Sequence, residues 1–99
     1  MIRHLLLTPA ARADLAAIWD HTAERWGPAQ ARTYFTGLDR LLSLLAEQPE
    51  IARERPEFTP PVRLHRYRSH LVIFRAAPGR LEVLRVVHAR SDWAEYLME

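Results

Sequence analysis

Leu15, Ile18, Trp19, Thr22 and Trp26 recur at steps of three and four, which places them on one face of an α-helix. Thr8-Pro9 supplies the start of that helix: a side-chain oxygen at the cap and a proline at the first helical position. The spacing predicts a helix over Pro9–Trp26, with Arg12, Asp20, Glu24 and Arg25 mostly off the apolar face and Trp19 and Trp26 directed into the core. Trp26-Gly27-Pro28 is the sharpest break in the chain, because Gly27 can end one helix in a left-handed conformation and Pro28 can open the next. Ala31, Tyr34, Phe35, Leu38, Leu41, Leu42 and Leu45 then form a second apolar stripe, predicting a helix over 29–48 that Pro49 ends. So short a turn makes the two helices an antiparallel hairpin.

Strand patterns flank this hairpin. Residues 3–7 are short and apolar and predict an opening strand. Residues 50–61 are charged and contain Pro56, Pro60 and Pro61, so a loop is expected, with one helical turn near 51–53. Val62–Tyr67 alternates with arginine. Residues 70–77 carry Leu71-Val72-Ile73-Phe74, a run suited to a central strand buried on both faces. Residues 81–87 are rich in valine and leucine. The short connections Arg68-Ser69 and Pro78-Gly79 predict an antiparallel meander of these three strands. A last short helix is expected from Ser91-Asp92, carrying Trp93, Tyr96 and Leu97, with Met98 beside them. The order is β-α-α-β-β-β with an optional C-terminal helix: an α+β fold with an antiparallel sheet and the helical hairpin on one face.

Composition narrows the chemistry. The 99 residues suit one domain with one modest core and no separate cofactor domain. With no cysteine there is no disulfide, thiolate metal site or cysteine nucleophile. The first residues lack the apolar centre of a signal peptide, and no segment approaches the ~18 apolar residues of a membrane span, so a cytoplasmic protein is expected. All 14 basic residues are arginine, which keeps the pI near 9.7 at a formal charge of only +2. A genome rich in G and C explains that usage; so does a surface built for bidentate contact with carboxylates or phosphates. The five histidines show no metal-ligand spacing and the three glycines form no phosphate loop, so neither metal nor cofactor is expected.

Three stretches together resemble the ParE/RelE toxin family. The first is Leu7-Thr8-Pro9-Ala10-Ala11-Arg12-Ala13-Asp14-Leu15, with Ile18-Trp19, then Arg25-Trp26-Gly27, Gln30-Ala31 and Tyr34. The second is Arg63 with Ser69-His70-Leu71-Val72-Ile73-Phe74-Arg75. The third is Leu84-Arg85-Val86-Val87-His88-Ala89-Arg90-Ser91-Asp92. Phe74 departs from the pattern, which often has tyrosine there, and the loop at 56–61 is unusually rich in proline. The resemblance, to the ParE branch in particular, implies a growth-inhibiting toxin of a toxin–antitoxin pair. It implies a ParD-like antitoxin partner, DNA gyrase as target, a hetero-oligomer, and contact with DNA only through the antitoxin. RelE-type relatives instead cleave mRNA on the ribosome, so the alternative is an endoribonuclease; a third reading is a toxin-like assembly partner without activity.

Cleavage would draw on Arg63, Arg66, Arg85, His88, Arg90 and Tyr67. The lysine-bearing surface frequent in RelE-type members is missing, and Tyr96 lies too far along to match their C-terminal tyrosine. His88 reads as structural, at a strand end and bonded to a backbone carbonyl or to Asp92; His65 and His70 read the same way. No catalytic residue is assigned. The candidate antitoxin- or target-binding residues are Arg63, Arg75, Arg85, His88, Arg90, Trp93, Tyr96 and Leu97.

Overall fold

The computed structural model describes residues 4–97; Arg3 at the expected strand start and Met98 in the last helix lie outside that range. The chain runs through β1 (His4–Leu7), α1 (Pro9–Trp26), α2 (Pro28–Glu47), a 3-10 turn (Pro49–Ile51), β2 (Arg53–Arg55), β3 (Val62–Tyr67), β4 (His70–Ala77), β5 (Arg80–His88) and a 3-10 helix (Trp93–Leu97). The five strands form one sheet in the order β1-β5-β4-β3-β2.

Two features of the sheet differ from the sequence expectation. The sheet is mixed rather than wholly antiparallel, because β1 pairs with β5 in parallel, Leu5 opposite Leu81 and Leu7 opposite Val83. A parallel neighbour requires a crossover, and here α1, α2 and three strands intervene. The charged segment after the 3-10 turn forms β2, a three-residue edge strand antiparallel to β3. Its Arg-Glu-Arg sequence has no apolar alternation to reveal it, and charged residues suit a sheet edge, which must not attract further strands.

The sheet separates two cores. On one face Val72, Phe74, Leu81, Val83 and Val86 pack with Ala11 and Ile18 of α1 and with Leu38, Leu42 and Leu45 of α2. On the other, Val62, Ile73 and Val87 form a smaller cluster. Phe58 from the proline-rich loop and Trp93 and Leu97 from the C-terminal 3-10 helix pack against it. As expected for the central strand, Val72, Ile73 and Phe74 of β4 are fully buried, serving both cores.

Side chains complete the edge of β5 where β1 stops. Thr8 caps α1 by accepting from the Ala11 N–H at 3.0 Å, and the same hydroxyl donates to the Leu84 carbonyl at 2.7 Å. Leu84 is the extra residue of a bulge, since Ile73 faces Arg85 while Phe74 faces Val83. Two residues on, the Val86 N–H donates to Asp14 Oδ2 at 2.9 Å. One helical cap and one helical carboxylate therefore satisfy backbone groups that would otherwise be orphaned at a sheet edge.

Trp26 overturns the expectation of a core tryptophan: it is 65% exposed. As the last residue of α1 it extends beyond the packed part of the hairpin, where the Arg25 guanidinium lies 5.3 Å from its ring. Trp19 does pack inward, edge-on to Phe35 at 5.2 Å. The β3–β4 turn holds Arg68 at φ 52, in the left-handed region where a non-glycine residue costs on the order of 1 kcal/mol or more.

Candidate functional site

The sheet arginines singled out in the sequence are engaged within the fold. Arg85 makes a bidentate pair with Asp14, Nε to Oδ2 at 2.7 Å and Nη2 to Oδ1 at 2.9 Å. Its guanidinium also stacks on the Tyr96 ring at 4.6 Å. Arg63 donates from Nη1 to the Ala52 carbonyl at 2.7 Å and lies 3.8 Å from Glu54. Arg75 stands 3.7 Å from Glu82, and its buried Nε has no hydrogen-bond partner among the described residues. These contacts fasten helix to sheet (Arg85), the β2 approach to β3 (Arg63) and β4 to β5 (Arg75).

Asp14 is the partner that the sequence reading misses. It lies one helical step from Ala11 and Ile18, so an acid on an otherwise buried face is the available signal. With 15% and 22% side-chain exposure for Asp14 and Arg85, their charges are largely withdrawn from water. The two aligned hydrogen bonds and the Val86 N–H compensate that desolvation.

The C-terminal residues divide. Trp93 sits 5.7 Å from Phe58 and 5.2 Å from the Arg55 guanidinium, which is itself bound to Glu57 at 2.7 Å. Pairing with Arg55 lowers the Glu57 pKa. Trp93 and Leu97 turn toward the smaller core, while Tyr96 is exposed above Arg85. Arg90 is exposed, and its backbone N–H donates to His88 Nδ1 at 3.1 Å. That bond corrects the expected one for His88: the ring accepts from a backbone amide rather than donating to a carbonyl or to Asp92. The Ser91 hydroxyl and N–H hold the His88 carbonyl.

A further cluster, which includes His88 of the candidate set, lies where α1, α2 and the β3–β4 turn meet. Tyr67 donates to the Tyr34 carbonyl at 2.8 Å and packs edge-on to the Tyr34 ring at 4.9 Å. The Tyr34 hydroxyl bonds to His70 Nδ1, and the His70 ring lies 5.8 Å from that of His88. Burial, with Tyr67 beside it and Arg68 opposing, pushes the Tyr34 pKa up to about 12. Tyr34 therefore keeps its hydroxyl proton, and the direction of its hydrogen bond with His70 Nδ1 follows the tautomer of the ring. Burial first, then His88 and His21, lowers the His70 pKa and keeps the ring neutral. Around this cluster opens a cleft of about 420 Å³, whose walls include His21, Arg25, Trp26, Tyr34, His70 and His88. Sequence spacing could not reveal it, because Tyr34 and His70 are 36 residues apart. Among the described residues no three His, Asp or Glu side chains are placed to hold a metal ion, and no helix is long and apolar enough to cross a membrane.

Comparison with known proteins places this arrangement in a family. The family model for the ParE toxin of the type II toxin–antitoxin system parDE matches residues 5–93. A protein named Toxin ParE1 from Mycobacterium tuberculosis is 39% identical over 93 residues, covering 93% of this chain and 95% of its own length. Toxin ParE1 of Caulobacter vibrioides is 33% identical over 91 residues, covering 92% of this chain and 94% of its own. A solved structure described as a chromosomal ParDE TA system from P. aeruginosa superposes with a TM-score of 0.70 at 27% identity, covering 88% of this chain and 96% of its own. The shared pattern runs from β1 through both helices and the whole meander to Trp93, and on that ground the chain belongs to the ParE toxin family of type II toxin–antitoxin systems.

Proposed function

We propose that the protein acts in the cytoplasm by binding and inhibiting DNA gyrase, and that a ParD-like antitoxin neutralises it in a hetero-oligomer. The observation that carries this reading is the ParE toxin match across residues 5–93, with relatives named Toxin ParE1 matching nearly end to end. Likeness to a solved ParDE system supports the antitoxin. A binding mechanism also agrees with the chemistry of the sheet: Arg63, Arg75 and Arg85 have carboxylate or carbonyl partners within the fold, so they are fasteners before they are catalysts. Exposed apolar side chains supply contact area: Leu5 and Leu6 on the edge strand β1, Leu44 on α2, and Tyr96 at the C-terminus. Tyr96 with Arg85 and Arg90 forms the target-facing surface; the antitoxin covers the apolar edge with an amphipathic segment.

The test is a gyrase supercoiling and DNA-cleavage assay run beside a ribosome-bound mRNA cleavage assay. Inhibited supercoiling, relieved by the antitoxin and accompanied by intact mRNA, is expected. Codon-specific cuts that disappear in folded His88→Ala, with gyrase unaffected, would replace this reading with an endoribonuclease.

A further inference from the structure

Two clefts flank the β3–β4 turn, and their charge is one-sided. The first, about 420 Å³, contains Ser69 of the turn together with Arg25, Trp26 and three histidines. The second, about 470 Å³, is lined by Arg32, Thr33, Thr36 and Arg40 of α2 and by Tyr67 and Arg68 of the turn. Adjacent residues line different clefts, Arg68 one and Ser69 the other, Thr33 one and Tyr34 the other, so the two form a single belt across the N-terminal half of α2. The chain has 12 acidic residues, yet neither cleft is lined by any of them. Arg25, Arg32, Arg40 and Arg68 take part in no ion pair among the described residues, in contrast with Arg55, Arg63, Arg75 and Arg85.

We propose that this belt binds a single strand of nucleic acid, with its phosphates on Arg32, Arg40 and Arg68 and an unpaired base on Trp26. Three guanidinium groups beside two threonines match phosphate oxygens, which they engage in fork geometry. Trp26 projects a ring that is 65% exposed at the mouth of the first cleft, and an aromatic face there takes a base irrespective of its identity. Arg68 is held at φ 52 with its guanidinium over Tyr67 at 5.8 Å. A two-residue hairpin turn favours Asn or Gly at such a position; arginine there places a cation on the ridge between the clefts. Cleft-bound bases favour an unpaired strand over a duplex. An acidic peptide would satisfy the arginines but leave the Trp26 face and the ring-lined cleft without a matching group. This inference does not depend on the gyrase reading, since strand binding and gyrase inhibition are measured separately and either can fail alone.

The experiment uses the full chain and fluorescence anisotropy with labelled oligothymidylate and oligouridylate of roughly 16 nucleotides. A duplex of the same length and a polyglutamate competitor complete the set. Arg32→Glu/Arg40→Glu should weaken binding of either strand by roughly tenfold or more and flatten the salt dependence by about 0.7 in log–log slope for each phosphate left unneutralised. Trp26→Ala should weaken it by roughly tenfold at unchanged salt slope. Arg12→Glu/Arg53→Glu, which changes net charge equally outside the belt, should bind as the wild type does; melting curves establish that all variants are folded. Equal affinity for the two strands supports recognition of phosphate and base face, and a preference for one assigns the source as DNA or RNA. The proposal is overturned if both charge-reversed pairs lose affinity alike, if Trp26→Ala binds normally, if the duplex binds more tightly, or if polyglutamate competes as well as the strands do.

Discussion

Asp14 shows how one side chain can close a seam. It accepts two hydrogen bonds from Arg85 and one from the Val86 backbone, joining α1 to the part of β5 that β1 does not reach. Asp14→Ala should lower stability by about 2–3 kcal/mol, since it leaves a half-buried guanidinium and a backbone N–H without their acceptor. Asp14→Asn keeps an acceptor for Val86 and should cost less. Denaturant titration with both variants separates the terms: equal losses would show that the charge alone matters. His70 makes the chain sensitive to acid. Its folded-state pKa lies below 6.5, so between the two values the unfolded chain binds more protons than the folded one. Stability from this group is complete above about pH 6.5 and declines as the pH falls through that value toward the folded pKa. The groups facing it in the cleft are His21 and Arg25 on α1, Tyr34 on α2 and His88 on β5, and positive charge on His88 or His21 adds to the penalty of protonation. His70→Gln retains an acceptor for Tyr34 and should flatten the fall of melting temperature in this range; an unchanged profile would place the titration elsewhere. Trp26 and Tyr34 each belong to the apolar stripe of their own helix in the sequence, yet one is exposed and the other half-buried beneath a histidine. Periodicity reports which face a residue is on, not how far along the helix its packing partner extends.

At the scale of elements, α2 and β3 meet so closely at Gly37 that an added methyl group would collide with the Tyr67 hydroxyl. Alanine ordinarily stabilises a helix interior by about 1 kcal/mol over glycine. Here Gly37→Ala should have the opposite sign, and Tyr67→Phe should recover part of the loss, because the ring carbon still stands only 3.2 Å away. A double-mutant cycle by thermal or chemical unfolding measures that coupling. The C-terminal 3-10 helix is both cover and surface. Removing residues 93–99 withdraws Trp93 and Leu97 from Val62, Ile73 and Val87 and should cost about 2–4 kcal/mol, the value of two partly buried side chains. Tyr96→Ala should cost under about 1 kcal/mol, chiefly its stacking with Arg85. That variant, rather than the truncation, is the clean probe of a target contact: it should stay folded while gyrase inhibition reports on the exposed ring. If Tyr96→Ala inhibits gyrase normally, the target surface lies elsewhere.

For the whole molecule, a second apolar layer and an exposed apolar edge sit on one small sheet. Leu5, Leu6, Leu44 and Ile51 remain exposed after both cores are filled, more than 99 residues can readily hide. A partner covering them stabilises the folded chain by mass action, by about 2.7 kcal/mol when antitoxin is present at a hundred times its Kd. The melting temperature should therefore rise with antitoxin concentration; a constant value at saturating antitoxin would contradict the proposed complex. The sequence alone determined α1, β3 and β4 to the residue, the Gly27-Pro28 corner and the burial of β4, because each rests on local periodicity, a cap or a turn residue. It also carried the family resemblance, whose pieces are spread along the chain in order. Only the tertiary structure decided the parallel pairing of β1 with β5, the Asp14–Arg85 closure, the Tyr34–His70–His88 cluster and the acid-free belt over the β3–β4 turn. Each of these joins residues tens of positions apart, and a pattern that repeats every two or 3.6 residues carries no information about which distant segment the fold will bring alongside.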